Sequence, residues 1–180
     1  MEYVIKFLTD YSDVSTAIIA LCALIVSFIS VLLSFFSFYI QRSHNHKSVT
    51  PIASIGVSDY ENLIEIEITN NGIGPMLVTK FKVFSEIESD DDLISFMPEL
   101  PQGITWDTFY ANIDGLCIPP NQSISLLRLS GDETDKLFSN FRDLVRQHLS
   151  KLSLELTYKD IYKRKMPLKQ RSLSWYKRNI

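Results

Sequence analysis

One uncharged apolar segment, from Thr16 to Ile40, limits the possible folds of this chain more than any other feature. No Asp, Glu, Lys or Arg lies between Asp13 and Arg42. A helix over the segment would be roughly 37 Å long at about 1.5 Å per residue, against a hydrocarbon layer of about 30 Å. The segment therefore predicts one transmembrane helix over residues 16–40 that crosses a bilayer with some tilt.

Small residues recur along this segment in steps of three and four. They are Thr16, Ala20, Ala23, Ser27, Ser30, Ser34 and Ser37, and we name them the small-residue seam. In lipid, helices associate through close backbone approach and interhelical hydrogen bonds, and small residues permit both. A repeat of 3.5 residues indicates left-handed packing. We expect the partner helices to come from other copies of the chain, and the seam either lines a lumen or lies between packed helices.

The flanks of the segment indicate a retained anchor and its orientation. Residues 1–15 form a short leader with three acidic residues and Lys6, and the apolar run is too long for a signal peptide. Arg42 and Lys47 follow the run, and basic flanks remain in the cytoplasm. We predict a single-pass inner-membrane protein with its N-terminus outside. Cys117 is alone in the C-terminal domain, which agrees with a reducing cytoplasm.

The rest of the chain predicts a polar juxtamembrane linker over residues 41–50 and one cytoplasmic domain over residues 51–180. Apolar residues alternate with charged ones in 62–69 and 77–83, on either side of the turn sequence NNGIGP, which is typical of two strands. Apolar residues at helical spacing predict an amphipathic helix over about 133–150. We therefore predict a mainly-β, β-sandwich-like domain with one inserted helix, and this order resembles bacterial membrane-anchored immunoglobulin-like domains.

Charge is segregated along this domain. From Asp59 to Asp114 there are twelve acidic residues against Lys80 and Lys82, and from Lys159 to Ile180 there are eight basic residues against one acidic residue. The basic stretch has three open interpretations besides a solvated tail: binding of nucleic acid, binding of anionic lipid, and pairing with the acidic region of a neighbouring subunit. We favour subunit pairing, because the small-residue seam already predicts an oligomer.

No cofactor and no metal site is predicted. His44 and His46 lie in the polar linker without Cys or carboxylate ligands at suitable spacing. Arg142 and His148 are separated by five residues, a spacing that resembles the motif of HEPN ribonucleases. That resemblance implies an Arg and a His from two protomers acting on a phosphodiester. HEPN domains are helical bundles whereas this domain predicts strands, so we favour a protein that is not an enzyme.

The overall layout supports a second resemblance. An N-terminal span with a packing seam, a compact cytoplasmic domain and the Arg142–His148 motif together resemble the small membrane accessory proteins of type VI-B CRISPR systems. Membership would imply a homo-oligomeric membrane pore that strengthens antiphage defence and is functionally coupled to an RNA-guided RNA-cleaving effector. Three hypotheses remain open at this point: a pore, a membrane-tethered ribonuclease using Arg142 and His148, and an anchored adaptor domain.

Overall fold

The computed structural model describes residues 1–179, without the side chains of Phe7, Leu8, Asp13, His46, Lys47 and Asn179. The chain divides into two compact units, residues 1–47 and the residues from 48 onward. The first unit contains two helices, α1 (Glu2–Asp10) and α2 (Ser12–Lys47). Among the described residues, one helical segment, Val14–Asn45, is long and apolar enough to span a membrane. This finding agrees with the predicted span.

Helix α2 extends beyond the apolar run at its C-terminal side. The predicted linker begins at residue 41, whereas the structure has helix through Lys47. Residues 41–47 contain neither proline nor glycine, so nothing in their backbone ends the helix at the last apolar residue. Proline first occurs at Pro51, and the residue before a proline is disfavoured in a helix.

The second unit is mostly antiparallel β-structure, as the alternating segments predict. Its strands are β1 (Ala53–Tyr60), β2 (Leu63–Asn70), β3 (Met76–Phe84), β4 (Ser89–Asp90), β5 (Thr108–Phe109), β6 (Cys117–Ile118), β7 (Ser123–Ser130), β8 (Ser153–Lys159) and β9 (Lys169–Ser172). One sheet has the order β1-β2-β7-β5, and the other has the order β4-β3-β8-β9, with β6 paired to β3. Helix α3 (Lys136–Leu149) connects β7 to β8, and short 3-10 helices cover Ile94–Phe96 and Ser174–Asn179.

Strand β2 shows why alternation in the sequence produces this sheet. Ile64, Ile66 and Ile68 point to one face and are fully buried, while Glu65 and Glu67 point to the other face. Successive side chains of a strand alternate between faces, so one register buries all three isoleucines. Antiparallel pairing with β1 on one side and β7 on the other fixes that register.

The buried faces of both sheets contribute to one hydrophobic core. Ile66 from the first sheet and Leu156 from the second belong to the same cluster of buried side chains. The apolar face of α3 joins this cluster through Phe141 and Val145. The helix begins where the Asp135 carboxylate accepts a hydrogen bond from the backbone N–H of Leu137 at 2.9 Å, as an N-cap residue does.

Asn70 joins three segments at one end of the sheets. Its side chain is fully buried, and its Nδ2 donates to the carbonyl oxygens of Gly74 at 2.8 Å and Ile118 at 3.1 Å. Its Oδ1 accepts from the backbone N–H groups of Ile52 at 3.2 Å and Gly72 at 3.0 Å. One amide side chain thus fixes the entering chain, the β2–β3 turn and the segment after β6.

This end of the β domain is where the chain enters from α2, and we call it the proximal end. It comprises residues 48–53, 70–77, 118–123 and the β8–β9 loop with the end of β8 (159–168). The start of β1 pairs with the end of β2, and the start of β3 pairs with β6 and the end of β8. The glycines of the β2–β3 turn let the entering chain pass closely. A Cβ at Gly74 would overlap the backbone of Val49, and a Cβ at Gly72 would overlap that of Thr50.

Candidate functional site

The small-residue seam forms one stripe along α2. At about 100° per residue, its seven members fall within an arc of roughly 100° around the helix axis. From Thr16 to Ser37 the stripe extends over about 31 Å at about 1.5 Å per residue. Every described side chain of α2 before residue 46 is exposed in the single chain. The stripe therefore covers about the thickness of a membrane and is available to another helix.

The hydroxyl groups of the seam are satisfied within α2. Ser27 donates to the carbonyl oxygen of Ala23, Ser30 to that of Val26, and Ser34 to that of Ser30, each at 2.8 Å. Such bonds to the preceding turn lower the cost of a hydroxyl in an apolar environment. Each hydroxyl oxygen also keeps lone pairs that can accept a hydrogen bond from a neighbouring helix or from water.

The basic flank of the predicted span lies on the helix itself. Arg42 is exposed and stands in the last turns of α2, two residues beyond the apolar run. Lys47 is the last residue of α2, and its side chain lies outside the described part of the structure. In the part of the chain that the structure describes, no three His, Cys, Asp or Glu side chains converge to hold a metal ion.

Arg142 is a buried member of an ion-pair cluster whose carboxylates, Glu61 and Asp143, are partly exposed. Its guanidinium pairs with the carboxylate of Glu61 at 2.6 Å and that of Asp143 at 3.0 Å, and also donates to the carbonyl oxygen of Glu61. Only 8% of the Arg142 side chain is exposed. The cluster fastens α3 to the turn between β1 and β2, so these contacts give Arg142 a structural role.

Arg146 continues the cluster one helical turn later, which the sequence analysis missed. Its Nε donates to the Asp59 carboxylate at 2.8 Å, and its Nη1 donates to Asp143 at 2.8 Å. Both the Arg146 and the Asp59 side chains are almost completely buried. The sequence signal was the spacing of four residues between Arg142 and Arg146, which places two cations on one face of a helix.

His148 lies apart from this cluster. Residues six apart on a helix point in directions about 120° different, so Arg142 and His148 do not share a face of α3. The Nδ1 of His148 lies 3.0 Å from the carbonyl oxygen of Phe96, and the side chain is partly buried. The two residues that resemble the HEPN motif are therefore not brought together within one chain.

The structure separates the basic C-terminal stretch into two groups. Lys163 and Lys165 lie in the β8–β9 loop at the proximal end, whereas Lys177 lies with Glu86 and Lys151 around a shallow depression at the opposite end. Between them, Arg171 donates from β9 to the carbonyl oxygen of Ile55 in β1 and so links the two sheets. The basic C-terminal stretch is continuous in sequence but does not form one surface.

Comparison with known proteins adds no assignment to these sites. No protein-family model, curated protein or solved structure matches the chain.

Proposed function

We propose that this chain is a single-pass inner-membrane protein that assembles through the small-residue seam into a homo-oligomeric pore. The observation that carries the proposal is helix α2, which is unbroken over Ser12–Lys47 and presents the seam on one face. The N-terminus lies outside, and the β domain, which we regard as β-sandwich-like, lies in the cytoplasm. Two sheets around one core support that description of the domain.

The proposed role is to permeabilise or depolarise the membrane during antiphage defence that depends on an RNA-guided RNA-cleaving effector. The resemblance in layout supports this role, and α2 provides a physical route to it. A ring of such helices would turn apolar side chains toward lipid and the seam hydroxyls toward neighbours or a lumen. Phage plating on cells that express the effector with and without this protein tests the role, and equal protection in both would contradict it.

The assembly is tested on the full-length protein extracted in mild detergent. We expect one high-order species by native mass and a conductance in planar bilayers. The triple variant Ser27→Leu, Ser30→Leu, Ser34→Leu should lose both, because added bulk separates the helix backbones. A matched variant enlarges the opposite face instead, with Ile18→Phe, Ile25→Phe and Leu32→Phe, and should keep both. An unchanged oligomer in the serine variant would refute assembly through the seam.

A second candidate is an anchored adaptor, and the division of the chain into two compact units favours it. Under this alternative, residues 48–180 recruit a partner and α2 only tethers them. Fusing these residues to an unrelated single-pass anchor should then preserve defence, whereas the pore hypothesis expects defence to be lost.

The ribonuclease alternative has less structural support. The Arg142 guanidinium is occupied by Glu61 and Asp143, and His148 faces another direction. This alternative would be restored if the purified protein cleaves RNA and if His148→Ala abolishes the cleavage while the oligomer is retained.

A further inference from the structure

Exposed aliphatic side chains collect at the proximal end of the β domain. Ile73 in the β2–β3 turn is 73% exposed, and Leu168 in the β8–β9 loop is 49% exposed. Ile52, before β1, and Ile161, after β8, are also exposed. These residues come from three separate segments, so the strand pairing brings them to one end. Large exposed apolar side chains grouped in this way are typical of an interaction surface.

The same end is strongly basic. Its segments contain four basic residues, which are Lys159, Lys163, Arg164 and Lys165, and their acidic residue is Asp160. The Asp160 side chain is buried, and its Oδ2 accepts a hydrogen bond from Arg164 Nε at 2.6 Å. Lys163 and Lys165 are exposed. The surface of the proximal end therefore carries an excess of positive charge around aliphatic side chains.

The opposite end of the domain has a different character. Glu86 and Glu88 are exposed there, close to the end of β3, and Glu86 shares a shallow depression with Lys151 and Lys177. Both signs of charge are thus mixed at that end. The concentration of one sign together with exposed aliphatic groups distinguishes the proximal end.

The connection between α2 and the β domain is short. Residues 48–52 connect α2 to β1, and five residues span at most about 17 Å even when fully extended. Lysine side chains near an anionic bilayer surface are attracted within a Debye length, which is about 10 Å at ordinary salt. If α2 spans a bilayer, its lipid headgroups are the nearest large anionic surface to this end.

We propose that the proximal end docks on the anionic lipid headgroups of the bilayer in which α2 is anchored. Lys163 and Lys165 contact lipid phosphates, while Ile73 and Leu168 enter the interfacial layer. This inference rests on the proposed anchoring. Lipid fits better than RNA, because single-stranded RNA is held largely by aromatic side chains that stack on bases. Four of the five large exposed apolar residues at this end are aliphatic, and Tyr162 is the aromatic one.

A fluorophore at the β8–β9 loop tests the docking in the full-length protein. Leu168→Cys is labelled in a chain that also carries Cys22→Ser and Cys117→Ser, and the protein is reconstituted in vesicles with a headgroup-region nitroxide lipid as quencher. We expect strong quenching in vesicles of equal phosphatidylcholine and phosphatidylglycerol. Quenching should fall in phosphatidylcholine alone and in about 1 M salt, where the Debye length is about 3 Å.

Matched charge variants assign the effect to this end. Lys163→Gln and Lys165→Gln together should lower the equilibrium constant for docking about 25-fold, at about a factor of five per charge. The variant Lys151→Gln, Lys177→Gln removes the same charge elsewhere and should show the same quenching as the parent. A fluorophore at Ile87→Cys, which is 96% exposed at the opposite end, should not be quenched.

The outcomes separate this inference from the anchoring on which it rests. Protein that alkaline carbonate extracts from the vesicles would overturn the anchoring itself. Two outcomes would overturn the docking alone in protein that resists extraction. One is the absence of quenching, and the other is equal quenching in vesicles with and without phosphatidylglycerol. If the first lysine variant loses binding of a single-stranded RNA oligonucleotide but keeps its quenching, the end binds nucleic acid and the proposal is wrong.

Discussion

Replacing Asn70 by aspartate tests whether one amide side chain holds the proximal end together. Aspartate has the same shape and keeps an oxygen that accepts from Ile52 and Gly72. It lacks the NH₂ group that donates to the carbonyl oxygens of Gly74 and Ile118. Those two buried acceptors would instead face a carboxylate oxygen.

The expected loss is large for a domain of this size. A buried polar group left without its partner costs about 1–3 kcal/mol, so two carbonyl groups correspond to about 4 kcal/mol in the free energy of unfolding. Domains unfold with only about 5–15 kcal/mol in total. Asn70→Asp should therefore remove a substantial part of the stability of the β domain.

The loss should also depend on pH with a defined sign. Burial beside carbonyl oxygens favours the neutral form of the introduced carboxyl, so its pKa in the folded state is raised above about 3.9, the value in the unfolded chain. The folded variant then binds more protons than the unfolded one, and its stability falls as the pH rises through the folded pKa. Lowering the pH from neutral towards 5 should thus recover part of the loss, since a protonated carboxyl can donate one hydrogen bond.

Tryptophan fluorescence during urea unfolding of the full-length protein in mild detergent measures this effect. Trp106 and Trp175 both lie in the β domain, so the signal reports that unit. Asn71→Asp is the matched control, because its amide is exposed and donates to Ser54 Oγ at 2.9 Å. The lost hydrogen bonds of Asn70 should lower the free energy of unfolding by more than about 1 kcal/mol. If the free energies of unfolding of Asn70→Asp and Asn71→Asp differ by less than this at every pH, Asn70 is not the buried junction described here.

Two further predictions concern buried charges. Arg146→Met removes the buried ion pair between Arg146 and Asp59 and should cost about 3–5 kcal/mol in urea unfolding. The double variant Arg146→Met, Asp59→Leu should recover much of that loss, and a double variant no more stable than the single one would contradict this account. Burial acts to raise the pKa of Asp160, but hydrogen bonds from the backbone and side chain of Arg164 outweigh it and hold the pKa below the ordinary value of 3.8. The carboxylate therefore stabilises the fold above about pH 4 and loses this effect as the pH falls through the lowered pKa. Asp160→Asn should be less stable than the parent at pH 7, and the difference should shrink as the pH falls below about 4. A difference that does not change with pH would refute the assignment.

Local patterns in the sequence predicted the elements whose structure depends on neighbouring residues. The alternation around Ile64, Ile66 and Ile68 indicated a strand because a period of two buries one face, and the structure has β2 there. A helix was indicated by the spacing of Leu137, Phe138, Phe141, Leu144, Val145 and Leu149, and α3 lies within the predicted range. Four of these side chains are buried, whereas Leu137 and Leu144 are exposed. The uncharged run likewise indicated the long apolar helix.

Features that depend on long-range pairing could not be read from the sequence. Asn70 begins the turn sequence NNGIGP, and its burial follows from residues 52 and 118, which lie beside it in the fold. The partner of Arg146 is Asp59, 87 residues away, and no local spacing indicates it. The basic stretch appeared continuous because charge was counted along the chain, whereas the β8–β9 pairing returns its two halves to opposite ends of the domain.

The junction at Asn70 also defines how mechanical load would pass from α2 into the β domain. A pull on α2 reaches β1 through residues 48–52. Two contacts hold this segment at Ile52: its N–H donates to the Asn70 side chain, and its carbonyl oxygen accepts from the Asn71 N–H at 2.8 Å. Strand β1 then pairs with β2 along its full eight residues. A force along the strand axis loads these hydrogen bonds in shear, so they resist together rather than opening one after another. Tension on α2 that acts along this axis would therefore be delivered to the sheet as a whole.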